Sequence, residues 1–208
     1  MSFRYTIVLS TLCTVLFPAV TFGAVTGWTD VVVRVYDANG VIAGTSQAAL
    51  DHARKILEAA SVEVTWRMCR PSSCDAPMAP GELAIRIVRS PLPERHAGHV
   101  PLGDAMVDRQ SGVGVLATIY FDRVTQLAHE AGADSRALLG HAIAHELGHL
   151  LLATTSHGPA GIMRALWSTE EVRRGSSLDW TFAPTDLAAI RRRAEARRPD
   201  ANLALGTR

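Results

Sequence analysis

An α+β domain is the fold class that this 208-residue sequence predicts: a mixed, twisted sheet of about five strands, one helix backing it, a long second helix and a C-terminal third. Two observations predict it. Short β-branched or alternating runs recur along the first 121 residues, and a stretch between the first two runs repeats its apolar residues at helical spacing. The resulting order is strand, helix, three or four strands, helix, loop, helix, and it buries its apolar faces as one sheet with helices packed on it.

The elements follow in chain order. Val31–Tyr36 is a β-branched run that ends at the turn signal Asp37-Ala-Asn-Gly40. Residues 46–60 carry Leu50, Ala53, Ile56, Leu57 and Ala60 on one stripe, with Thr45 or Ser46 as the cap. Val62–Trp66 alternates as a second strand, and Leu83–Val88 is a third. Residues 91–104, rich in proline, read as a loop; Ala105–Val107 as a short edge strand; Val113–Phe121 as a fifth strand with Gly112 and Gly114 at its start. Asp134 or Ser135 caps a long helix that runs to Leu152. Residues 153–183 read as irregular, and Pro184 with Asp186 opens a last helix with Leu187, Ile190 and Ala194 inward.

Composition narrows the function. With 48% hydrophobic and 20% charged residues the chain is neither disordered nor fibrous, and its length fits one compact domain. Twenty-one basic residues against 20 acidic ones argue against nucleic acid or an acidic membrane as the main partner. Arg4 is the only charge before Asp30, Ile7–Phe17 is apolar, and Thr21-Phe22-Gly23 places small residues at the positions a signal peptidase reads. Residues 1–23 are therefore expected to be a signal peptide cleaved after Gly23, leaving a formally neutral, secreted or periplasmic chain. The alternative is an uncleaved anchor, for which the apolar core falls short of the ~20 residues a spanning helix needs. Cys13 follows the bulky Leu12, which does not suit a lipidation site. The remaining Cys69 and Cys74 predict one disulfide in an exported protein. Residues 24–198 form the expected domain, with an upper lobe to about 152 and a short lower lobe after it, and 199–208 a flexible tail. No propeptide is evident between the signal and the first strand.

The chemistry centres on His145-Glu146-Leu147-Gly148-His149. Histidines four apart share one helical face and can chelate one zinc, and Glu146 beside the first can accept a proton from a metal-activated water. Three protein ligands are usual at a catalytic zinc. His157 is the third candidate, because Gly158-Pro159 directly after it makes a turn that brings the chain back towards the helix end. His141, one turn before His145, drifts off that face and is expected to be a hydrogen-bonded polar residue. His96 and His99 fall in the 91–104 loop, and Trp167 reads as core.

His145-Glu-Leu-Gly-His149, His157 and Gly161-Ile-Met163 together resemble the metzincin clan of zinc metallopeptidases, in the manner of its matrixin-like members. The resemblance implies a zincin-type fold, one catalytic zinc, a peptide or protein substrate, and Met163 as the methionine of a tight turn beneath the metal. The clan's usual pattern puts glycine at 152 and histidine at 155; here these are Leu152 and Thr155, and the spacing becomes HExxHx7H. A tyrosine that some members place two residues after the methionine is Ala165 here. Glu170 and Glu171 are the alternative third ligands, at the distance a gluzincin would use.

The expected function is an exported, monomeric zinc endopeptidase that takes an extended substrate along the edge and rim formed by residues 105–115. The alternatives are a gluzincin-type peptidase and an exported zinc-binding module without catalysis.

Overall fold

The computed structural model describes residues 29–40, 44–70, 73–90, 100–108, 110–111, 113–175 and 177–197. The expected signal peptide, His96, His99, Gly112 and the tail lie outside the described residues. In order, the elements are β1 (Thr29–Asp37), α1 (Ser46–Ala59), β2 (Val62–Cys69), β3 (Leu83–Val88), β4 (Gly103–Asp108), β5 (Val113–Tyr120), α2 (Phe121–Ala131), α3 (Ser135–Leu152), α4 (Thr169–Arg174) and α5 (Pro184–Arg197). Single 3-10 turns occupy Ala38–Gly40 and Ser177–Trp180. None of the described helices is long and apolar enough to cross a membrane.

The expected α+β architecture is present. One five-stranded sheet has the order β2-β1-β3-β5-β4. Its first four strands in that order are parallel, and β4 closes one edge antiparallel to β5. Val31, Val33 and Val35 alternate into the core along β1, as do Ile85 and Ile87 along β3. On the other face of β1, Arg34 is buried under the segment that leads on from the Cys69–Cys74 disulfide. Its guanidinium donates to Glu82, Ala76 O and Pro77 O, and Arg67 donates to the second Glu82 oxygen at 2.7 Å. These hydrogen bonds satisfy a charge that burial would otherwise make costly.

Helix α3 runs through the core: thirteen of its 18 residues are buried. Asp134 caps it, its carboxylate accepting from Arg136 N at 2.9 Å. Gly140 lets α1 come close, because a Cβ there would stand 2.6 Å from Ala49 O.

Four sequence expectations are corrected. Residues 121–131 form α2 directly after β5, so Phe121 is helical rather than the end of a strand. The edge strand starts at Gly103, two residues earlier than its alternation predicts, because pairing with Ile119 and Thr118 of β5 extends it. The stretch 153–183 contains α4 and the Ser177–Trp180 turn. Gly114, within the 105–115 stretch expected to form the rim, is buried against Leu150 of α3; a Cβ there would lie 2.9 Å from Leu150 Cδ2.

Candidate metal centre

His145, Glu146 and His149 are all buried near the C-terminal end of α3. Each histidine is oriented through its inner nitrogen. His145 Nδ1 donates to Ile162 O at 2.7 Å, and His149 Nδ1 donates to Thr154 O at 2.8 Å. With both protons on Nδ1, each Nε2 carries a bare lone pair. The two Nε2 atoms nevertheless face each other at 3.1 Å. Lone pair against lone pair is repulsive unless a cation sits between them. Two nitrogens bound to one tetrahedral zinc stand about 3.3 Å apart, so the spacing fits.

His157 completes the group. One ligand atom from each of His145, His149 and His157 lies within 4.8 Å of the others. Burial pushes the pKa of His145 and of His149 down to about 4 and lowers that of His157, so the imidazoles are neutral and able to ligate at ordinary pH.

The local backbone explains how a histidine twelve residues after His145 returns to the helix. α3 ends at Leu152, and Ala153 takes a left-handed conformation, φ 47°, which turns the chain and aims Thr154 O at His149. Gly158 N then donates to Met163 O at 2.9 Å, tying the two ends of the His157 loop together. Gly161, at φ 72°, passes so close to Thr181 O that a Cβ would stand 2.5 Å from it, and the adjoining Ile162 N donates to that same oxygen. This anchored turn presents Ile162 O to His145. Met163 is buried beneath the helix: a Cβ on Gly148 would lie 2.5 Å from Met163 Sδ.

Glu170 and Glu171 are elsewhere. Glu171 completes a capping box with Ser168 and accepts from Arg164 at 2.7 Å; exposed Glu170 pairs with Arg173. The gluzincin alternative is thereby corrected: Glu171 is engaged in the helix cap and an ion pair, and Glu170 in a surface pair. His141 is no ligand either, in keeping with the sequence reading, but its partner is aromatic: it stacks on Trp180 with ring centres 4.3 Å apart. Trp167 is buried as expected and also walls the cleft, its ring edge-to-face with His145 at 5.4 Å.

Glu146 points towards β4. Its Oε2 is buried with no hydrogen-bond partner, and the space beside Oε1 exists because residue 103 is glycine; a Cβ there would lie 2.7 Å from that oxygen. Burial, with the charge of Asp104 adding, pushes the Glu146 pKa up to about 8; an adjacent cation would bring it down. The cleft in front of these groups holds about 290 Å³. Its upper wall is 101–105 rather than the predicted 105–115, with Leu102 and Ala105 facing Ala142 and Trp167. Gly103, Ile162 O and Thr154 O have no motif that announces them, since two act through the backbone and one through the lack of a side chain.

No family model matches the chain, and no curated protein matches it. Solved structures do. A zinc-dependent peptidase from Methanocorpusculum labreanum superposes with a TM-score of 0.50 at 16% identity, over 76% of this chain and 99% of that one. An archaemetzincin from Methanopyrus kandleri gives 0.48 at 14% identity, over 80% and 96%. The likeness to the first shows that the α+β fold is one that a zinc-dependent peptidase adopts.

Proposed function

We propose that this protein is a zinc-dependent endopeptidase of metzincin-like type, with His145, His149 and His157 as ligands of one zinc and Glu146 as general base. The observation that carries the reading is the pair of unprotonated Nε2 atoms facing each other, with a buried, unpartnered carboxylate oxygen on the next residue. A zinc held for structure alone has no use for that oxygen, which speaks against a non-catalytic binding module.

Bound zinc supplies Lewis acidity, lowering the pKa of a water and polarising a carbonyl. The chain supplies the rest. Ile162 O and Thr154 O fix the tautomer and tilt of the two helical histidines. Glu146 Oε2 takes the proton of the attacking water and returns it to the leaving amine, a role typically worth ~10² to 10⁴ in rate. Leu102, Ala105, Ala142 and Trp167 give the cleft apolar walls beside these groups. Strand β4, at the sheet edge above the cleft, offers backbone donors and acceptors to an extended peptide.

Export is part of the proposal. The N-terminal apolar run and the Cys69–Cys74 disulfide both support it. The proposed enzyme is a secreted or periplasmic monomer acting on protein substrates.

The test is Glu146→Gln in the full chain, with zinc content and cleavage of a denatured protein mixture measured together. The proposal expects zinc retained at one per chain and cleavage lost. Cleavage at the wild-type rate by the variant removes Glu146 as the base, and absence of zinc from the wild type removes the enzyme.

A further inference from the structure

A second groove, of about 500 Å³, lies N-terminal along α3 from the metal centre, between α1, α4 and the Ser177–Trp180 turn. Its walls are of two kinds. Ile56, Leu138 and Trp180 are apolar, whereas His52, Lys55 and Arg173 are basic. Among the described residues its one carboxylate, on Asp134, is already taken by Arg136 through two contacts of 3.0 Å. Arg173 is paired with Glu170, but Lys55 has no acidic partner among the described residues. His141 forms part of the lining, and its Nδ1 is buried without a hydrogen-bond partner while its ring stacks on Trp180.

We propose that this groove binds a small carboxylic acid with an apolar, aromatic-sized body. The body lies against Ile56, Leu138 and Trp180. The carboxylate is held by Lys55 and His52. The sign of the ligand follows from the balance of charges: an anion meets an unpaired ammonium, while a cation meets only a carboxylate that is already neutralised. The size follows from the volume, which falls within the range of small-molecule sites. Among the described residues the groove shares no lining residue with the metal cleft, and the inference stands whether or not the peptidase reading does.

The experiment is calorimetric titration of the full chain with 2-naphthoate and, separately, with 2-naphthylmethanol, which has the same ring and no charge. Wild type, Lys55→Glu and Ala137→Trp are compared. Ala137 lines the groove and is partly exposed, so an indole there fills the space. The proposal expects saturable one-to-one binding of 2-naphthoate. It expects about tenfold weaker binding of the alcohol, about tenfold weaker binding of naphthoate to Lys55→Glu, and none to a folded Ala137→Trp. Lys55 is exposed, so its variant stays interpretable if the indole prevents folding. Lack of saturable naphthoate binding overturns the proposal, as does equal affinity for the alcohol or unchanged affinity in Lys55→Glu.

Discussion

Adding one methyl group at Gly103 tests how closely the edge strand presses on Glu146. In Gly103→Ala the new Cβ would stand 2.6 Å from Thr118 O, 2.7 Å from Glu146 Oε1 and 2.8 Å from Glu146 Cγ. Carbon contacts are comfortable near 3.5 Å, so relief requires movement of ~0.5 Å or more. Thr118 O belongs to the backbone of β5, which is paired on both sides and gives little. The strain therefore divides between an outward shift of β4 and a rotation of Glu146. Overpacking of this kind costs about 1–3 kcal/mol, and an ångström of misplacement at a reacting group costs roughly a hundredfold in rate. Urea unfolding, turnover and zinc content of the variant are the assays. The expected result is a lower unfolding midpoint, turnover down about a hundredfold and unchanged zinc, because the imidazoles are not touched. Wild-type stability together with wild-type turnover would refute the packing of Gly103 on Glu146.

Three further outcomes are expected. His157→Ala should loosen zinc strongly in a chelator competition; unchanged affinity would exclude His157 as a ligand. Ala153→Gly should raise stability by about 1 kcal/mol in denaturant unfolding, because a left-handed alanine is strained where glycine is not; a loss of stability would contradict the turn geometry. His141→Gln should reduce acid sensitivity. Burial pushes the His141 pKa down to about 4, so the unfolded chain takes up a proton below ~6.5 that the folded chain refuses. That contribution to stability is complete above pH ~6.5 and lost as pH falls towards ~4, up to about 3 kcal/mol. Unfolding measured at pH 7 and pH 4.5 should show a smaller difference in the variant than in the wild type, and equal differences would sink this reading.

Much of the fold is legible because local pattern and tertiary role agree. Val33 and Val35 alternate towards the core in β1 as their spacing predicts, and Leu50, Ala53 and Leu57 face it from α1. Helix α3 is legible from its Asp134 cap and its histidine spacing rather than from an amphipathic stripe, since nearly its whole circumference is buried. Helix α2 escapes notice for a different reason. It follows β5 with no glycine or proline between Tyr120 and Phe121, so the strand pattern runs on into it. Its own signal, Val124, Ala128 and Ala131 at helical spacing before Gly132, is present in the sequence and was masked by that continuity. The start of β4 at Gly103 depends on its partner strand, which no local pattern encodes.

The site divides in the same way. Side chains suited to metal binding or proton transfer come in recognisable types at recognisable spacing: the ligand atoms of His145, His149 and His157 lie together, and Glu146 lines the same cleft. The groups that orient them do not. Ile162 O and Thr154 O are backbone atoms brought in by turns at Gly161 and Ala153, and the contact of Met163 with Gly148 joins residues far apart in sequence. Glu171 shows the opposite error: its spacing from His149 is compatible with ligation, but Ser168 three residues earlier claims it for a helix cap.

X-ray absorption at the zinc edge, on the full chain loaded with one equivalent of zinc, tests the three-imidazole centre most directly. The expected first shell is three imidazole nitrogens and one oxygen donor at ~2.0–2.1 Å. A shell with two imidazoles or fewer, or one dominated by carboxylate oxygen, would contradict it.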